Sequence, residues 1–117
     1  RQTWIDRLRE DSAQFSRALF KLVTATSSSA AADAAAEATE IRARIFLRLN
    51  PTEPEHQAVV SAAEAAIDAA LATPFQPDQL RAKRESFLEA SRVVLKKEWD
   101  RVRTLEGPAR KKMLKGR

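Results

Sequence analysis

The sequence predicts an all-α fold: four helices run up-down-up-down as an antiparallel bundle. Three observations carry that expectation. Apolar residues recur at three- and four-residue intervals over four separate stretches. Helix-forming Ala, Leu, Glu, Arg and Lys dominate, while the chain has only 2 Gly and no Tyr. Turn signals fall near residues 25–29, 50–53 and 73–76, and connections this short favour antiparallel neighbours.

The first helix is expected over residues 1–24, where Trp4, Leu8, Phe15, Leu19 and Leu22 form an apolar stripe widened by Ile5 and Val23. The run "TATSSS" then offers hydroxyls that favour caps and turns, with Ser28 or Ser29 as the N-cap of the second helix. No Gly or Pro breaks that link, so a three-helix bundle with helices one and two continuous is the alternative. The second helix points Ala34, Ala38, Ile41, Ile45 and Leu49 inward, helped by Phe46.

The next corner, "LNPTEPEH", puts Asn50 where a left-handed residue ends a helix and Pro51 where the helix cannot continue. Thr52 and Glu55 have the spacing of a capping box, and Pro54 suits the first turn. His56 is the only histidine, too few for a bundle metal site, so the corner is read as structural, with no metal or cofactor implied. The third helix, about residues 53–72, turns Val59, Ala63, Ile67, Ala70 and Leu71 inward. Phe75 and Leu80 then stand at staple spacing around Pro77. The last helix, about 77–105, carries two sevenfold lines: Leu80, Phe87, Val94 and Leu88, Leu95, Val102. Gly107-Pro108 is expected to stop it. That divides the chain into a bundle domain, 1–106, and a basic tail, 107–117.

Cysteine is absent, which excludes disulfides and thiolate chemistry. No P-loop, dinucleotide fingerprint or zinc pattern occurs, and no catalytic set of side chains can be assembled, so no enzyme and no small-molecule substrate are expected. Charge is uneven. Residues 1–50 hold eight basic and six acidic side chains, residues 51–80 hold none and five, and residues 81–117 hold thirteen and five. The plainer reading of this asymmetry is solvated helix faces plus a basic tail; the functional alternative is an anionic partner for the C-terminal part. Its candidate contacts are Arg92, Lys96, Lys97, Arg101, Arg103, Arg110, Lys111, Lys112 and Lys115, with Trp4 and Trp99 as candidate interface aromatics. If the bundle is antiparallel, both tryptophans close one pole.

Three strings, "RQTWIDRLREDSAQF", "IFLRLNPTEPEH" and "LKKEWDRVR", together resemble a loose group of uncharacterised small bacterial proteins. These have an N-terminal membrane helix and a helical cytoplasmic domain. The resemblance covers roughly a third of the chain and brings no activity or site residue with it. It implies a cytoplasmic domain tethered to the inner membrane by a segment not present in this chain. The first residue, Arg1, is not Met, which fits a piece of a longer protein. The expected function is therefore a non-enzymatic interaction or structural module, with a protein partner, a second copy or an anionic membrane surface as its contact. The rival is a basic accessory protein that binds nucleic acid.

Overall fold

The computed structural model describes the backbone of residues 2–115 and the side chains of residues 3–104. It contains four separate helices: α1 (Gln2–Thr24), α2 (Ser28–Arg48), α3 (Pro54–Ala70) and α4 (Pro77–Lys115). No strand occurs among the described residues. The fold is the expected all-α four-helix bundle, and α1 and α2 are not continuous.

The break between them has a local cause. The Thr24 hydroxyl turns back to the Phe20 carbonyl at 2.8 Å. Ser27 is extended (φ −140°, ψ 157°), and its Oγ accepts the Ala30 N–H at 3.1 Å. The cap is thus one residue earlier than expected. Three successive serines are near-equivalent candidates, and the extended backbone falls at the first of them.

Packing is closest within two helical hairpins, α1 with α2 and α3 with α4. The hairpins meet along α1–α4 and α2–α3, α1 also approaches α3, and the backbones of α2 and α4 stay apart among the described residues. The alanines explain the tight pairs, since Ala34, Ala38, Ala63 and Ala66 are all buried and let backbones approach. The largest core residues bridge the hairpins. Phe15 of α1 and Phe87 of α4 lie with ring centroids 4.6 Å apart at 48°, an arrangement that adds about 1 kcal/mol beyond area burial. Ile5, Leu8, Leu19, Ile41, Ile45, Leu49, Val59, Leu80, Val94 and Val102 complete the interior.

Several side chains depart from the expected pattern. Phe46 and Leu71 are about half exposed. The line Ala34–Ala38–Ile41–Ile45–Leu49 already fills the inward face of α2, and Phe46 stands one residue off it. Leu71 follows the last turn of α3 as its C-cap. On α4 the line Leu80–Phe87–Val94 faces inward, but of its twin only Val102 is buried, and Leu88 is exposed.

The other departure is length. Gly107-Pro108 does not end α4, whose backbone remains helical to Lys115. Proline withdraws one N–H and crowds the carbonyl four residues back, a cost of about 3 kcal/mol, yet the turns on both sides keep the helical path. The side chains of the expected tail, 107–117, lie outside the described residues. At about 1.5 Å per residue, the 39-residue α4 far outreaches α1, α2 and α3, of 23, 21 and 17 residues. The molecule is accordingly a rod of 65 × 23 × 22 Å.

Candidate functional site

The most polar part of the interior is the pole where α2 hands over to α3. Leu49 ends α2 in extended backbone (φ −92°, ψ 151°). Asn50 is not left-handed, since no non-glycine residue among those described has positive φ. Its side chain makes the turn instead, with Oδ1 accepting the Thr52 N–H at 3.0 Å and the Thr52 hydroxyl at 2.8 Å. With Thr52 held there, the expected capping box with Glu55 does not form. Glu53 becomes the N-cap without a side-chain cap bond, and Pro54 takes the first turn as expected.

His56, which the sequence left without a task, pins this corner. It is buried, and its Nδ1 accepts the Asn50 N–H at 2.8 Å. An accepting Nδ1 puts the ring proton on Nε2. Nε2 lies 2.9 Å from Glu53 Oε2 and 3.9 Å from Glu98 Oε1. Trp4 of α1 stacks on the imidazole, centroids 6.1 Å apart at 21°, and donates its indole N–H to the Arg48 carbonyl at 3.0 Å. Trp4 thus closes this pole, but not together with Trp99 as expected. Trp99 lies elsewhere, exposed on the outer side of α4 beside Arg9, Ser12 and Ala13 of α1.

Glu98 is fully buried, although its spacing to neighbouring cations suggests an ordinary surface pair. Arg101 sits 2.8 Å from Glu98 Oε1 and 3.5 Å from Glu53 Oε1. A second buried carboxylate, Asp11, receives Arg48 Nε at 2.6 Å and Arg44 at 3.6 Å. Glu55 at the start of α3 takes Lys97 of α4 at 2.8 Å. That ammonium, followed by the residue's own backbone amide, holds the Glu55 carboxyl below the usual range, against a small opposing effect of burial.

Glu53, His56 and Glu98 offer three ligand atoms within 4.8 Å of one another, a spacing compatible with a metal ion. The donor set argues against one. A neutral imidazole ligating through Nε2 must carry its proton on Nδ1 and donate it, whereas Nδ1 here receives the Asn50 amide. The cationic position between the carboxylates is taken by the Arg101 guanidinium. This arrangement holds a corner rigid. It presents no open coordination position and no base beside a nucleophile.

The candidate partner contacts fall into three groups. Lys97 and Arg101 are engaged within the bundle. Arg92, Lys96 and Arg103 are exposed, Arg92 with only a loose 3.9 Å contact to Glu89. The side chains of Arg110, Lys111, Lys112 and Lys115 lie outside the described residues. The sequence reading missed Asp11, Glu53 and Glu98, whose i, i+3 and cross-helix partners look the same whether exposed or buried. It also missed Ser12 and Ser91, both buried with hydroxyls that bond to nothing. A polar residue recurring within an apolar stripe, as Ser91 and Glu98 do between Phe87, Val94 and Val102, is the signal that could have found them.

No protein-family model, curated protein or solved structure matches the chain. No described helix is long and apolar enough to cross a membrane.

Proposed function

We propose that the chain is a non-enzymatic interaction module, the cytosolic domain of a membrane-tethered bacterial protein, whose projecting α4 meets an anionic lipid surface. One observation carries this reading: α4 passes the pole at Glu98–Arg101, beside Trp4 of α1, and continues helical to Lys115. Fourteen further residues at about 1.5 Å each extend it by roughly 20 Å. Over 102–115 that extension carries Arg103, Arg110, Lys111, Lys112 and Lys115 against one acid, Glu106. The start of α1 lies at the same pole, so a tether there and the basic rod would address the same surface. Basic residues near anionic lipid contribute about 1 kcal/mol each within a Debye length.

Vesicle co-sedimentation tests the reading. The chain should pellet with vesicles containing phosphatidylserine and not with phosphatidylcholine alone, and high salt should release it. Replacing Arg110, Lys111, Lys112 and Lys115 by Gln together should lower partitioning about 100-fold or more. Equal pelleting with neutral vesicles would overturn the proposal. So would salt-sensitive binding to DNA or RNA with none to anionic vesicles, which is the behaviour of the nucleic-acid rival.

A further inference from the structure

The outer face of α4 forms a second surface, within the bundle and before the helix projects. Between α1 and α4 runs an open groove of 440 Å³. Its apolar ridge is Leu88, Leu95 and Trp99, and Leu88 and Trp99 are 40% and 39% exposed. On its floor are Ser12, Ala13 and Ser91, small residues that leave room for a third backbone. Arg9, Arg92 and Lys96 stand along the rim, and no carboxylate lines it.

We infer that this groove docks an acidic amphipathic α-helix of a partner protein. The spacing asks for a helix: Leu88, Arg92, Leu95, Trp99 and Val102 follow alternating intervals of four and three, the pattern of a coiled-coil face. Its twin line, Leu80–Phe87–Val94, meets that demand inside the bundle, while on this one Leu88, Arg92 and Trp99 stay exposed and Leu95 is only partly covered. A ridge of side chains on an incoming helix fits the trough between α1 and α4. Tryptophan and arginine are also the residues that dominate interface energies. Charge selects the sign. Lys96 makes no ion pair among the described residues, and Arg9 and Arg92 have only 3.9 Å contacts with Asp6 and Glu89 on their own helices. Glutamates flanking the partner's apolar stripe would complete all three cations. A second copy of this chain brings the same cations to the same face, so symmetric pairing through the groove sets like charge against like.

The probe is a synthetic helical peptide of about three heptads, with leucine at a and d and glutamate at e and g. A control peptide has lysine at e and g. Affinity is measured by isothermal titration calorimetry, and the site is located from the two indole N–H resonances of the intact chain. The Trp99 signal should shift on adding the glutamate peptide, and the Trp4 signal, whose indole is bonded to the Arg48 carbonyl, should stay. Trp99→Ala, and Arg92→Glu combined with Lys96→Glu, should each weaken binding at least about tenfold. Ala13→Arg adds positive charge yet obstructs the trough, and it too should weaken binding about tenfold. Because Ala13 is exposed, that variant leaves the core intact, and circular dichroism verifies this. Three results would overturn the inference: equal affinity for the lysine peptide, tighter binding by Ala13→Arg, or no shift at Trp99. A dimer that Trp99→Ala dissolves would assign the groove to a second copy and overturn it equally. Vesicle binding by the same variants should be unchanged, so this inference and the membrane reading can fail separately.

Discussion

The two ends of the bundle are closed by different kinds of force. At the α2–α3 pole, Arg101 pairs with Glu53 and Glu98, His56 joins the two carboxylates in one polar network, and Asp11 pairs with Arg48 nearby. At the opposite pole the closure is apolar: Phe20, Val23, Phe75, Pro77 and Leu80 surround a shallow groove of 310 Å³. Two arginines, Arg81 and Arg84, border that groove without an ion pair among the described residues. Directional bonds fix one geometry and tolerate little change, whereas apolar contacts scale with area and can repack. The end that fixes one geometry is also the end from which α4 projects, so the rod leaves the bundle from its more rigid side.

Three substitutions sharpen this contrast. Arg101→Ala should have the largest effect, since it leaves the fully buried Glu98 facing Glu53 without its guanidinium; stability measured by urea unfolding should fall by about 3 kcal/mol. A loss below about 1 kcal/mol would mean that the network relaxes and water enters. Leu80→Ala at the apolar pole should cost about 2 kcal/mol, the low end for a buried leucine, because a groove already lies beside it. The loss should be the same at low and high salt. A marked salt dependence there would erase the distinction between the poles.

The smallest effect belongs to Lys97→Ala, and pH is what reveals it. The Glu55 carboxyl is held below its ordinary value in the folded chain, so its contribution is complete above the pKa of the unfolded chain. The contribution disappears as pH falls through the lowered folded value. The stability gap between the natural chain and Lys97→Ala should therefore hold steady near neutrality and close in acid. A gap that widens in acid would mean that Lys97 acts through something other than Glu55.

The apolar half of this contrast was legible in the sequence and the polar half was not. The line Ala34–Ala38–Ile41–Ile45–Leu49 is buried throughout, because a helical period fixes which residues share a face. Burial of Glu98 could not be read that way, since Glu98 and Arg101 at i, i+3 look like any exposed pair until α4 packs on α3 and sets Glu98 beside His56. Asn50 and Thr52 were recognised as turn residues, but which of several local bonds they form depends on His56 arriving from the next helix. Pro108 misled for a related reason: its cost is local, and a long helix can absorb it.

The pairing of α1 with α2 and of α3 with α4 has a kinetic consequence. Each pair closes across a short connection, with a small entropic penalty for bringing its ends together. Contacts between sequence neighbours of this kind give fast folding, in the microsecond-to-millisecond regime. The two halves then join along a thinner seam, and the chain crosses that seam at the His56 corner. Partial opening should begin by parting the halves, each still helical, with the imidazole acting as the clasp that sets how often they separate.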